Sequence, residues 1–292
     1  MRIIAYFSLA LAVVSLAACG CSSQPAEDTL TRIKNEKVLR VGYANEAPFA
    51  YLDQDTGAVT GEAPAIAKHI AAKIGAEKVE GVLTEFGALI PGLQAGRYDV
   101  IAAGMYITPE RAQQVLFTAP TYSLGEGFLV KTGNPLELHS YADVATHETA
   151  RLGVVSGTVE LGYAKKLGVP EDRIVIFPSN TAAVAGLESD RVDVVGCTRL
   201  TCTDLLAKAG DRAIALAEPF TDPVIDGIPA RGYGAFAMRP GDAALRNAFN
   251  AELAAFLGSD EHAALVKPFG FGPSERTDGK TLAEVLSEQS KP

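Results

Sequence analysis

From Val38 onward the sequence alternates short β-rich runs with helical patterns, and few folds accept that order. Strands separated by helix-length segments pair in parallel, with the helices as crossovers, so the class is α/β. In the first half, strands are expected at Val38–Tyr43, Lys78–Leu83, Tyr98–Ala103 and Gly127–Lys131, with helices at Glu62–Gly75 and Phe86–Ala95. Thr108-Pro109-Glu110 reads as a helix start: Thr suits the N-cap, Pro the first position and Glu the first turn. Thr132-Gly133-Asn134-Pro135 is a turn cluster at which the chain is expected to leave a first lobe.

A second set follows, with strands at Leu152–Val155, Arg173–Phe177, Val192–Gly196 and Ala213–Ala217. Helices are expected at Thr158–Leu167, Thr181–Ser189 and Thr201–Ala209. Pro219–Gly232 reads as a loop, Gly234–Met238 as a strand and Asp242–Phe256 as an amphipathic helix. Two strand–helix sets with a late return imply two lobes joined by two crossings, with a cleft between them. The expected boundaries are 37–131 plus 233–292 for lobe 1 and 132–232 for lobe 2. A chain of 292 residues also makes two domains the simplest expectation, at roughly 150 residues each.

The formal charge of −9 argues against nucleic acid as a partner, because phosphate binding needs clustered Lys and Arg. His69, His139, His147 and His262 show no metal-ligand spacing, and no cofactor is expected. GxSxG, HExxH, phosphate-loop and SxxK motifs are absent, so the common enzyme signatures are missing.

Ile3 to Ala18 carries no charge and is short for a membrane-spanning helix, which needs about 20 residues. It leads into Leu16-Ala17-Ala18-Cys19, which resembles the bacterial lipobox, whose cysteine is acylated after cleavage. Residues 1–18 are therefore expected to be a lipoprotein signal peptide and Cys19 the lipidation site. Cys21 fits less well. Residues 19–36 are expected to tether the folded part, with Gly20 to Asp28 the flexible stretch. The mature protein is expected to be exported, anchored to a membrane by lipid and otherwise soluble, in the periplasm or on the outer face of the cell membrane.

Several segments carry a family likeness: Val41 to Phe49, Gly92 to Asp99, Thr108-Pro109-Glu110-Arg111, Ser156-Gly157-Thr158 and Gly232-Tyr233-Gly234. In order and spacing the chain resembles the polar amino-acid type of bacterial extracellular solute-binding proteins, family 3. Narrower runs resemble the ectoine/hydroxyectoine-binding members: Ala44 to Phe49, Gly61 to Pro64, Thr84 to Gly87, Gly104 to Arg111, Gly157 to Glu160 and Lys267 to Phe271. The resemblance implies a type II periplasmic-binding-protein fold with two hinge crossings. It also implies a monomeric, non-enzymatic receptor that hands a small zwitterion to an ABC permease and its ATPase.

The same resemblance implies a set of contacts. Arg111 matches the arginine that grips a solute carboxylate, a bidentate task for which guanidinium is suited; by chemistry alone a helix-start ion pair is the competing reading. Gly104 allows close backbone approach, and Thr108 offers a hydroxyl. Phe49, Phe86 and Tyr106 match cleft-facing positions, a box for a delocalised cation; ordinary core packing is the alternative.

Glu46 and Glu160 sit on opposite lobes, although Glu160 near a helix start also reads as dipole complementation. Thr158 and nearby helix N–H groups add polar contacts. Relatives that bind α-amino acids carry an Asp where this chain reads Val195-Gly196-Cys197-Thr198. These choices favour ectoine or hydroxyectoine. A polar amino-acid receptor is the alternative, and a dehydratase-type enzyme on the same fold a more distant one. Cys197 and Cys202 stand either as a local disulfide or as two buried thiols.

Overall fold

The structure, a computed structural model, describes residues 27–289. The expected signal peptide, the lipidation site Cys19 and the first part of the tether lie outside the described residues. Its last part does not behave as a tether. Helix α1 (Thr29–Glu36) begins there, capped by Asp28, whose side chain accepts from the Thr31 amide, and Ile33 is fully buried in the core. The polar sequence of α1 hides this, because only Ile33 and the partly buried Leu30 anchor it.

Strand β1 (Val38–Tyr43) opens the first sheet, followed by the short pair β2 (Tyr51–Leu52) and β3 (Val59–Thr60). Helix α2 (Glu62–Ile74) buries Ala63, Ile66, Ala67, Ile70, Ala71 and Ile74, one helical stripe facing the sheet. Then come β4 (Lys78–Leu83), α3 (Leu89–Gln94), β5 (Val100–Ile101), α4 (Pro109–Ala112), β6 (Leu116–Phe117) and β7 (Tyr122–Leu124). The expected strand Tyr98–Ala103 is thus ladder-paired only at Val100–Ile101, though the whole stretch is buried.

The second set comprises β8 (Glu126–Lys131), α5 (Tyr141–Thr146), β9 (Leu152–Val155), α6 (Glu160–Lys166) and β10 (Ile174–Phe177). It continues with α7 (Asn180–Glu188), β11 (Val194–Thr198), α8 (Arg199–Ala207) and β12 (Ile214–Leu216). The expected loop Pro219–Gly232 contains a hairpin of β13 (Val224–Ile225) and β14 (Ile228–Pro229). The return is β15 (Gly232–Gly234) and β16 (Ala237–Met238), then α9 (Ala243–Phe256), α10 (Asp260–Val266) and α11 (Leu282–Gln289).

Two five-stranded sheets result, in the orders β4-β1-β5-β16-β6 and β10-β9-β11-β8-β12. In each, parallel strands linked by helices sit beside antiparallel strands that belong to the crossings and the return. All four residues of β9 are buried, as expected of a strand covered on both faces.

The lobe boundary differs from the expected one. Strand β8 pairs antiparallel with β11 and β12, so the chain has already entered the second sheet at Glu126, not after Lys131. We assign the boundary to Gly125. An apolar run such as Gly127–Lys131 reads the same in either sheet, and its partners are distant in sequence. The expected strand Gly234–Met238 is likewise two strands in different sheets: β15 pairs with β7, and β16 inserts in the first sheet. The β7–β15 pairing holds the two crossings side by side as a ribbon at the hinge.

Candidate functional site

Residues from both lobes converge on one small cavity of about 20 Å³ beside the hinge ribbon, lined by Glu46, Phe49, Phe86, Gly104, Tyr106, Arg111, Thr158, Val159, Glu160 and Thr198. Eight of the nine side chains singled out in the sequence are therefore brought together. The ninth, Thr108, is the N-cap of α4, where its hydroxyl accepts from the Arg111 amide at 3.2 Å. It lines instead an outer cavity of about 560 Å³ that shares Arg111, Thr158 and Val159 with the inner one. A larger groove of about 1080 Å³ lies on lobe 1 against α9 and α10, and the converging charged groups are not there.

The first-lobe wall is built on loops after β1, β4 and β5. Gly104 has φ of +65°, and a Cβ there would sit 2.5 Å from the Phe49 ring, so glycine alone lets that ring close over the loop. Tyr122 of β7 backs the wall: its ring centroid lies 5.2 Å from Phe49 and 6.2 Å from Tyr106, and its hydroxyl donates to the Gly104 carbonyl at 2.7 Å. The rings are thus both packed and cavity-facing.

Arg111 is buried at 9% exposure, because α4 is a single turn pinned by its Thr108 cap and Pro109. Its guanidinium donates to the Tyr106 carbonyl at 2.7 Å and, across the cleft, to the Gly157 carbonyl at 2.9 Å. It also stands 5.5 Å from the centre of the Phe86 ring. Desolvation lowers its pKa, partly offset by the charge of Glu160. Among the described residues no carboxylate forms an ion pair with it, and two N–H groups rest on neutral carbonyls.

The acids face it from both lobes. Burial pushes the Glu46 carboxyl up to about 7, against a lowering hydrogen bond from Thr201. That bond joins the lobes: Thr198 of β11 donates to Thr201 at 2.9 Å, and Thr201 of α8 donates to Glu46 Oε1 at 2.8 Å. Glu160, at the start of α6, is 4% exposed and raised by burial, with Thr158, its own N–H and Arg111 pulling it back down. The lobes also meet at Gly87 and Gly157, where a Cβ on Gly157 would lie 2.6 Å from the Gly87 Cα.

Val159, Thr198, Thr201, Tyr122 and Glu126 escaped the sequence reading. For Thr198 the available signal was its position at the end of a buried strand; for Glu126, an acid opening an apolar run. A disulfide joins Cys197 and Cys202, with Cα atoms 5.8 Å apart, and ties the end of β11 to α8. Among the described residues no group of His, Cys, Asp and Glu is arranged to hold a metal ion, and no helix is long and apolar enough to cross a membrane.

Known proteins resemble this chain in sequence and in fold. A family profile described as bacterial extracellular solute-binding proteins, family 3, matches residues 39–273. A probable amino-acid ABC transporter periplasmic-binding protein from Sinorhizobium fredii is 39% identical over 263 residues, covering 89% of this chain and 86% of its own. An arginine-binding protein of an Escherichia coli ABC transporter is 32% identical over 170 residues, 58% of this chain and 65% of its own. Among solved structures, EhuB in complex with hydroxyectoine superposes with a TM-score of 0.76 at 38% identity, covering 84% of this chain and 92% of that one. An ancestral amino-acid-binding protein, a precursor of cyclohexadienyl dehydratase, gives a TM-score of 0.70 at 29% identity, covering 83% and 99%.

Proposed function

The chain belongs to the bacterial extracellular solute-binding proteins, family 3, and from that premise we propose that its cleft captures ectoine or hydroxyectoine. Membership makes it the solute receptor of an ABC importer for amino acids or related polar solutes, which receives its cargo outside the cytoplasm. The finer reading is carried by one observation: a single arginine, two glutamates from opposite lobes and three aromatic rings line one cavity.

Each group has a task. The solute carboxylate replaces the Gly157 carbonyl as acceptor for Arg111, exchanging a neutral hydrogen bond for a charge-assisted one. Glu46 and Glu160 accept from the two N–H groups of a ring amidinium. Phe49, Phe86 and Tyr106 cover the delocalised charge, each face contributing about 0.5–2 kcal/mol when desolvated. Thr158 adds a hydroxyl. An α-ammonium is served less well, because β11 ends in Thr198, a neutral hydroxyl that offers an ammonium no charge.

A cavity of about 20 Å³ holds little more than a water molecule, so the solute enters with the lobes apart. Both lobes then contribute contacts, and the closed state gains affinity that the open state lacks, which is what drives hinge closure. We further propose that the receptor is a monomer anchored through a lipidated Cys19.

Calorimetry against ectoine, hydroxyectoine, proline, glycine betaine and arginine tests this reading. Heat with the first two and little with arginine is expected. Heat with α-amino acids alone replaces the ligand by a polar amino acid. Recovery of altered solute after incubation moves the chain to the enzyme class.

A further inference from the structure

Glu126 has no place in the contacts above, yet it is 1% exposed and neither carboxyl oxygen has a donor partner. It opens β8, where its backbone N–H donates to Asp222 Oδ1 at 2.7 Å. Its register partner on β11 is Thr198, which lines the cavity. Residues directly opposite in an antiparallel pair share a face, so Glu126 points to the side of the sheet on which the site lies. There it comes within hydrogen-bonding reach of Glu160, one of whose oxygens, Oε2, also lacks a donor.

Two desolvated carboxylates side by side repel, and a shared proton removes the conflict. We infer that Glu126 is held protonated and donates its carboxyl hydrogen to Glu160, acting as the positioning residue that aims the Glu160 carboxylate at the solute cation.

The surroundings favour this proton assignment. Burial pushes the Glu126 carboxyl well above the usual carboxylate range, and the charges of Glu160, Asp222 and Glu46 push the same way. Burial raises Glu160 as well, but the hydrogen bonds of Thr158 and its own N–H, the charge of Arg111 and the bond to Glu126 all pull it back down. The hydroxyls that face Glu126 from neighbouring elements belong to Tyr106, Tyr122 of β7, Tyr141 of α5 and Tyr163 of α6, and none of them supplies a positive charge. Arg111, the cation nearest the site, is committed to the Tyr106 and Gly157 carbonyls. The proton therefore stays on the carboxyl with the fewer stabilising donors, and lobe 2 presents a single negative charge to the solute.

This inference rests on the solute-site reading for Glu160, and the test separates the two. Infrared difference spectra of the unliganded protein, wild type minus Glu126→Gln, are expected to show the carbonyl stretch of a protonated carboxylic acid. Glu46 and other buried acids cancel in that difference. With ectoine in the calorimeter, Glu126→Gln keeps a donor and is expected to bind within about threefold of wild type, whereas Glu126→Ala loses about tenfold or more. An absent band, or equal losses for Gln and Ala, overturns the inference. A present band with no ectoine heat in the wild type removes the ectoine reading and leaves the protonated Glu126 standing.

Discussion

The hydroxyl of Thr201 in lobe 2 donates to Glu46 Oε1 in lobe 1 at 2.8 Å, so the acid we propose as a partner of the solute cation is also tied to the second lobe. On the proposed reading, closure and recognition use the same carboxyl. Thr201→Val removes the donor and keeps the shape. A single hydrogen bond to a charged group contributes about 1.5–3 kcal/mol at most, so ectoine affinity is expected to fall about tenfold. Small-angle scattering of the unliganded variant is expected to show a more open mean shape. Unchanged affinity and shape would remove the bridge from the closure mechanism.

Arg111 holds two carbonyls as well as, on our reading, the solute. Arg111→Ala is expected to abolish measurable binding. It also leaves the buried Tyr106 carbonyl without its donor, costing about 1–3 kcal/mol. At about 2–4 °C per kcal/mol for a chain of this size, the melting temperature of the unliganded protein drops by several degrees. Arg111→Lys is expected to restore the melting temperature more than the binding, because an ammonium lacks the planar fork.

At Gly157 the backbone has φ of +79° and faces the Gly87 Cα. Gly157→Ala therefore strains the turn by about 1 kcal/mol and places a methyl where the lobes meet. Affinity measured by calorimetry is expected to fall well beyond that amount, while the melting temperature drops by only about 2–4 °C. Wild-type affinity in this variant would show that the lobes do not approach so closely with solute bound.

Glu46 titrates near 7 in the unliganded cleft. A cationic group binds its ionised form, so below that value the solute must also displace a proton. Affinity is expected to rise with pH up to about 7, by as much as tenfold per unit for one proton, and to level off above about 8. Proton release, seen as buffer-dependent heats near neutrality, accompanies it. Glu46→Gln is expected to bind more weakly and to lose that slope.

Much of this was legible along the chain. The α/β class followed from alternating strand and helix periods, and the Thr108 cap, Pro109 and the α2 stripe were readable because capping and amphipathicity are set by residues within one or two turns. The convergence of Glu46, Phe49, Phe86, Tyr106, Arg111 and Glu160 was anticipated from the family resemblance of the short motifs that hold them, whereas their chemistry alone left core packing and helix-start pairing open.

What local sequence does not encode is pairing. Gly127–Lys131 is apolar enough for either sheet, and only its ladder to β11 assigns it to lobe 2. Thr198 and Thr201 are ordinary helix-start residues until closure sets one hydroxyl against Glu46, more than 150 residues away in the chain. Glu126 has no motif at all. The role we infer for it arises because β-pairing sets it opposite Thr198 on the site's side of the sheet, and the proton balance between two such acids depends on the solvent excluded when the lobes come together.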